Sequence, residues 1–181
     1  RGPDQNVGRK KVSAPGTSYN TPIGICRFID GLAGDEDILI FELGEYYPGD
    51  VMKLCKLLDP HIGIITGVNE AHLEKFGTLE KTARTIFELA EYLKKKPVYI
   101  NGENEVARTN ANEALKNHIL FTKDGVGDFR IKNQKSDLSG TSFSLLIGDL
   151  KFAVTSKLLG LHNVGPLAVA AHIAYRLGFE R

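Results

Sequence analysis

At 181 residues, with 42% hydrophobic and 25% charged side chains, the chain lies in the ordinary globular range and can build one packed core, in one domain or slightly more. Its 23 Lys+Arg against 22 Asp+Glu leave a formal charge of +1, too small a basic excess for a protein that binds nucleic acid by bulk phosphate neutralisation. No apolar stretch nears the ~18 residues of a membrane span and no signal peptide opens the sequence, so a cytoplasmic setting is expected.

Residues 1–11 read as a flexible tail or linker, ending in the charge run Arg9-Lys10-Lys11, which a solvated surface explains. A domain over residues 12–181 is expected to follow. Val12-Ser13-Ala14 suggests a short strand and Ile23 to Leu32 a short helix. Asp37 to Leu43 is a continuous apolar run with β-branched members, the pattern of a strand buried on both faces of a parallel sheet. Asp50 to Leu58 carries Val51, Leu54, Leu57 and Leu58 at helical spacing, and Ile62 to Thr66 forms a second buried strand. Thr78 can cap a helix running to Lys95, with Leu79, Ala83, Ile86, Phe87, Ala90 and Leu93 as its apolar stripe. A strand at Pro97 to Ile100 and a polar helix from Glu103 to Lys116 complete the alternation.

Strand–helix alternation of this kind is the signature of an α/β fold, a mostly parallel doubly wound sheet. After His118 the texture changes to short strands: Ile119 to Thr122, Phe129 to Lys132, Ser142 to Ile147 and Lys151 to Val154. They make a small antiparallel β subregion, with Gly148-Asp149 as a hairpin turn. A final helix from Asn163 to Leu177, apolar on most faces, should be buried. Cys26 and Cys55 lack any CxxC spacing and sit in apolar runs, so both are expected as buried thiols.

In open parallel sheets ligands bind beyond the carboxyl ends of the strands. Glu42 ends the Ile-Leu-Ile-Phe strand, where a carboxylate is explained either by a bridging Mg²⁺ or by capping of a neighbouring helix. Thr66-Gly67-Val68-Asn69-Glu70-Ala71-His72 brings polar side chains to the same edge after the next strand, His72 being either a ligand or a structural histidine. Thr17-Ser18-Tyr19-Asn20-Thr21-Pro22-Ile23-Gly24 places hydroxyl and amide groups at a helix start, which suits phosphate contacts and also plain capping. His61, His118 and His172 have no convergent partners and read as structural. No G-x-x-x-x-G-K-[ST] and no G-x-G-x-x-G occurs, and none of the 19 glycines precedes a lysine.

The runs Phe41 to Asp50, Pro60 to Thr66 and Asn69 to Thr78, with Ser18-Tyr19-Asn20-Thr21-Pro22-Ile23-Gly24 and Gly160-Leu161-His162-Asn163, resemble the P-loop-NTPase-like central domain of the Mur ligases over residues 11–179. The branch it looks most like adds D-alanyl-D-alanine to a UDP-muramoyl-tripeptide in peptidoglycan synthesis. The resemblance implies ATP and Mg²⁺ as cofactors, an acyl-phosphate on the substrate carboxylate, and attack by the incoming amine. It also implies Glu42 as Mg²⁺ ligand, His72 near a second Mg²⁺, Asn20 at the phosphates, Thr21 and Asn69 as further cofactor-binding residues, and His162 and Asn163 on the adenine side. Glu42 and His72 should then converge on one cation position.

Three departures from the family pattern lead us to expect an inactive piece of a longer enzyme. The lysine-bearing phosphate loop would lie before Lys11; Ile86 stands fourteen residues after His72, where the family has a carbamoylated lysine; Pro166 replaces a second asparagine. An uncovered sheet edge is expected where the strand preceding that loop would pair. Two other readings remain open. One is a non-catalytic Mur-ligase-like domain binding a nucleotide or a protein; the other is a folylpolyglutamate-synthetase-type ligase.

Overall fold

The computed structural model describes residues 10–16, 19–70, 76–114 and 118–179. Its first strands, β1 (Val12–Ser13) and β2 (Ile38–Leu39), pair in parallel with Val12 opposite Ile38. They are joined through helix α1 (Pro22–Asp30). Thr21 takes an extended backbone and its hydroxyl accepts from the Gly24 N–H at 3.3 Å, while Pro22 supplies a preset first helical turn. β2 is much shorter than the apolar run that announces it. The Ile40 N–H still donates to the Ser13 carbonyl at 3.0 Å, but β1 ends there and a strand extends only as far as its neighbour.

Helix α2 (Asp50–Leu58) buries Val51, Leu54 and Cys55. Strand β3 (Gly63–Ile65), helix α3 (Leu79–Leu93), strand β4 (Val98–Asn101), helix α4 (Glu105–Ala114) and strand β5 (His118–Thr122) then alternate. The three strands pair in parallel in the order β3-β4-β5. Thr78 caps α3 as expected, its hydroxyl accepting from the Lys81 N–H at 3.3 Å. Gly63 is required where α3 crosses β3, because a Cβ there would stand 2.6 Å from a Leu93 methyl carbon and 3.1 Å from the Leu89 side chain.

From β5 the sheet continues antiparallel through β6 (Gly125–Val126), β7 (Phe129–Asp137), β8 (Gly140–Ile147) and β9 (Leu150–Ser156). A 3₁₀ turn (Leu161–Asn163) leads into helix α5 (Val164–Arg176). The fold is therefore α/β, parallel where strands alternate with helices and antiparallel afterwards. Among the described residues β1–β2 form a sheet of their own, and β3 to β9 form a second, so β2 and β3 each have one edge with no strand beside it.

Side-chain alternation along β4 divides the core. Val98 and Ile100 point into a cluster with Ile65, Ala83, Phe87, Ala90, Leu93 and Ala107, under α2, α3 and α4. Tyr99 points the other way, into a cluster with Phe121, Phe129, Leu145, Val164, Ala168 and Val169 beneath α5. Three expectations need correcting. The run from Asp37 to Leu43 is not buried on both faces, Leu39 and Ile40 being exposed beside the edge of β2 that has no strand next to it among the described residues. Helix α5 is buried on one face only, through Val164, Gly165, Ala168, Val169 and His172, because it covers a single sheet layer rather than lying between two. Cys26 is exposed: the core side of α1 is taken by Gly24 and Ile25, and Cys26 projects off it. Cys55 is buried as expected, and burial, helped by the negative charge of Glu88, pushes its thiol up to about 11.

Candidate functional site

Lys11 ties the start of the fold together. Its ammonium pairs with Asp35 and, at 3.3 Å, with Glu36, while its backbone N–H donates to the Asp37 carboxylate at 2.7 Å. The Asp37 N–H returns a bond to the Lys11 carbonyl at 2.9 Å. Lys10 lies with its ammonium 5.6 Å from the centre of the Phe179 ring. Residues 10 and 11, the end of the expected tail, are thus engaged with the domain.

Asn20 and Glu42 meet. The Asn20 amide donates to Glu42 Oε1 at 3.3 Å, and its backbone carbonyl accepts from the Gly44 N–H at 3.0 Å. Only glycine fits at position 44, since a Cβ would lie 2.9 Å from the Asn20 carbonyl oxygen and 3.1 Å from its amide carbon. The loop after β2 is thereby fastened to the segment that starts α1. A cavity of about 170 Å³, lined by Ala14, Pro15, Gly16, Tyr19, Ile40 and Glu42, opens beside this pair. Its one carboxylate, Glu42, is a hard oxygen donor, the type Mg²⁺ takes, and the adjoining Asn20 amide carries another such oxygen. The Thr21 hydroxyl caps α1 as an acceptor and keeps its O–H to donate.

Asn69 lies on the exposed loop after β3, just beyond a bracket that sequence reading missed. The Asn104 side chain accepts from the Val68 N–H at 3.2 Å, donates to the Val68 carbonyl at 3.0 Å, and accepts from Ala107 N–H at 2.9 Å at the start of α4. Asn101 donates to the Thr66 carbonyl at 2.8 Å and accepts from the Glu103 N–H at 3.0 Å. The available signal was Asn-x-x-Asn at the carboxyl end of a strand, a position where amides bind neighbouring loop backbone. His72 lies outside the described residues, and its expected convergence with Glu42 lies outside them too.

His162 and Asn163 form a second pair, Asn163 Nδ2 being 3.2 Å from His162 Nε2 and donating to the Leu159 carbonyl at 2.7 Å. The turn that carries them is moored to the β7–β8 hairpin. Thr141 donates to the Leu158 carbonyl at 2.7 Å and the Gly160 N–H donates to Ser136 Oγ at 2.8 Å.

A family model described as the Mur ligase middle domain matches residues 5–174 of this chain. The chain belongs to that family.

Among its relatives is the UDP-N-acetylmuramoyl-tripeptide–D-alanyl-D-alanine ligase of Haemophilus influenzae, 27% identical over 162 residues that make up 89% of this chain and 35% of the relative. Among solved structures, MurF from Acinetobacter baumannii superposes with a TM-score of 0.80 at 20% identity, covering 94% of this chain and 38% of that one. MurF ligase from Thermotoga maritima, solved in complex with ADP, superposes with a TM-score of 0.76 at 24% identity, over 95% of this chain and 40% of that one. The chain thus spans about a third of the length of the H. influenzae relative it matches. Within this Mur ligase domain, Ile86 is half-buried on α3 and packs against the core cluster of α2, α3 and β4, as its place on the apolar stripe predicts. Arg84 is exposed, and Pro166 stands exposed in the first turn of α5.

Proposed function

We propose that this chain is the central, nucleotide-binding domain of an ATP-dependent carboxylate–amine ligase that adds D-alanyl-D-alanine to a UDP-muramoyl-tripeptide in the cytoplasm. The observation that carries the reading is the junction of Asn20 with Glu42 at the carboxyl end of β2, within a chain that matches the Mur ligase middle-domain model almost throughout. Glu42 would hold Mg²⁺, with His72 serving a second ion; Asn20, Thr21 and Asn69 would line the phosphates. His162 and Asn163 would face adenine. When bound, Mg²⁺ would offset the charge that builds on phosphate oxygens during phosphoryl transfer. Glu42 and Asn20 would fix its position, and the Asn101–Asn104 bracket would hold the β3 loop in register with them. Support for Mg²⁺ is chemical, since the donors at the cavity are oxygens. Support for the nucleotide is the fold shared with a protein solved with ADP.

Residues 12–181, with Lys10 and Lys11 fastened onto them, are read as this domain, lacking one strand between β2 and β3, and the residues before Lys10 as a linker. The unpaired edges of β2 and β3 are what that arrangement requires. On this reading the 181-residue stretch alone does not turn over. Calorimetric titration of the full-length protein with an ATP analogue and Mg²⁺, together with phosphate release, tests it. Release that depends on both the muramoyl-tripeptide and D-alanyl-D-alanine is the expected result. Binding without release would instead favour a non-catalytic Mur-ligase-like domain, the reading that Ile86 in place of a carbamate-bearing lysine supports.

A further inference from the structure

His172 plays no part in that reading, yet it is a buried side chain with a polar partner at each ring nitrogen. It lies on the sheet-facing side of α5 and is 2% exposed. Its Nδ1 is 3.0 Å from the phenol oxygen of Tyr99 on β4, and its Nε2 is 3.2 Å from the Asp128 carboxylate in the β6–β7 turn. Phe129 meets the ring edge-on at 4.7 Å between centroids, and Tyr99 does so at 5.5 Å. Gly127 lies against Nε2, where a Cβ would be 3.3 Å away.

These partners fix the tautomer. A carboxylate only accepts, so Nε2 carries the hydrogen and donates to Asp128. Nδ1 is then a lone pair, and the buried Tyr99 hydroxyl donates to it. A neutral imidazole satisfies both contacts. A second proton on Nδ1 would point at the phenol hydrogen across 3.0 Å, and the phenol would have to turn its hydrogen away from its acceptor inside the core. The charged groups around the ring are Asp128 from the β6–β7 turn, which favours the cation but is 58% exposed at its side chain, and Arg176 one turn along α5, which opposes it. β4 contributes Tyr99. β5 turns Ile119 to this face, and strand alternation turns His118 to the other. Burial, the largest effect, holds His172 below the ordinary imidazole value, and burial likewise holds the Tyr99 phenol above its own.

We propose that His172 is an acid-sensitive latch: neutral, it ties α5 to β4 and to the β6–β7 turn, and when protonated it releases the helix from that corner of the sheet. The latch concerns how α5 is held, so it stands whatever the domain binds. The sign follows from the lowered folded value. The stability it contributes is fully present above the ordinary imidazole value and is lost as pH falls through the folded one. Between those two values one proton is taken up on opening, so the opening constant of α5 rises toward tenfold per pH unit and levels off below.

The test is hydrogen exchange of α5 amides in the full chain from pH 8 to pH 5, corrected for intrinsic rates, with the His172 ring followed by NMR. The latch requires a ring that titrates below the ordinary value, with α5 protection falling in step. Protection in His172→Gln should be flat over the same range. Tyr99→Phe keeps the imidazole but removes the conflicting hydrogen, so the ring should titrate higher and the acid loss should shrink. Asp128→Asn should move the titration lower. If His172→Gln does not fold, the opposed shifts in the other two variants still decide the matter. A ring titrating at or above the ordinary value, or Tyr99→Phe leaving both titration and acid loss unmoved, overturns the proposal.

Discussion

Glu42 is exposed and has the Asn20 amide, at 3.3 Å, as its hydrogen-bond neighbour, so its charge contributes little to holding the fold. Glu42→Gln keeps the shape and should leave unfolding free energy within about 0.5 kcal/mol, the usual effect of a surface substitution. If the carboxylate holds Mg²⁺, Mg²⁺-dependent nucleotide affinity should drop by about tenfold or more, equivalent to ~1.4 kcal/mol, in calorimetric titration. Ile86 behaves in the opposite way. It packs half-buried against the core cluster, so Ile86→Lys should cost about 1–2 kcal/mol in urea unfolding, the lysine stem retaining part of the apolar contact. Residue roles were legible where partners are local. Thr78 announces the helix it caps because the acceptor and the Lys81 N–H are three positions apart. Glu88 was not legible. Its carboxylate accepts from the Gly49 N–H at 2.7 Å and the Met52 N–H at 2.8 Å, capping α2 from the middle of α3. Nothing in a 3.6-residue pattern reveals a cap supplied from another helix.

At the scale of elements, long periodic segments were readable and their ends were less so. Helix α3 follows its apolar stripe and its capping threonine almost residue for residue. Strand β7 does not follow from its sequence. Beyond Lys132 it continues as Asn133-Gln134-Lys135-Ser136-Asp137, polar throughout, and pairs with β8 after a register shift, with Asn133 at φ +57°. Pairing partners, not side-chain alternation, hold that half of the strand, as hydrogen bonding to a stable neighbour can. Asn104 works at the same scale, joining the β3 loop to the start of α4 through three bonds. Asn104→Ala should cost about 1–3 kcal/mol, because the Val68 and Ala107 backbone groups lose buried or half-buried partners. Hydrogen exchange at Val68 should quicken well beyond what global destabilisation explains, and unchanged Val68 protection would contradict the bracket.

For the molecule as a whole, alternation of strand and helix was enough to give the architecture, whereas the division into two sheets depends on which strand edges find a neighbour. Leu39 is 40% exposed, Ile40 56% and Ile64 43%, on the very strands and run whose edges are unpaired. Edges of this kind recruit other strands. The 181-residue chain by itself should therefore associate as its concentration rises. Size-exclusion chromatography with light scattering over a range of loading concentrations checks this, and a monomer that persists across the range would contradict it.

The unequal cysteines have a practical consequence. Cys26 stands on the outside of α1, five residues past the Thr21 carbonyl that starts the helix, while Cys55 is enclosed and resists ionisation. A maleimide dye at neutral pH should accordingly couple to one sulfur in the folded chain and to two in denaturant, without any engineered substitution. The natural sequence comes ready for a single fluorophore on the helix that begins beside Asn20, and a change of its emission on adding nucleotide and Mg²⁺ would report what enters the Glu42 cavity.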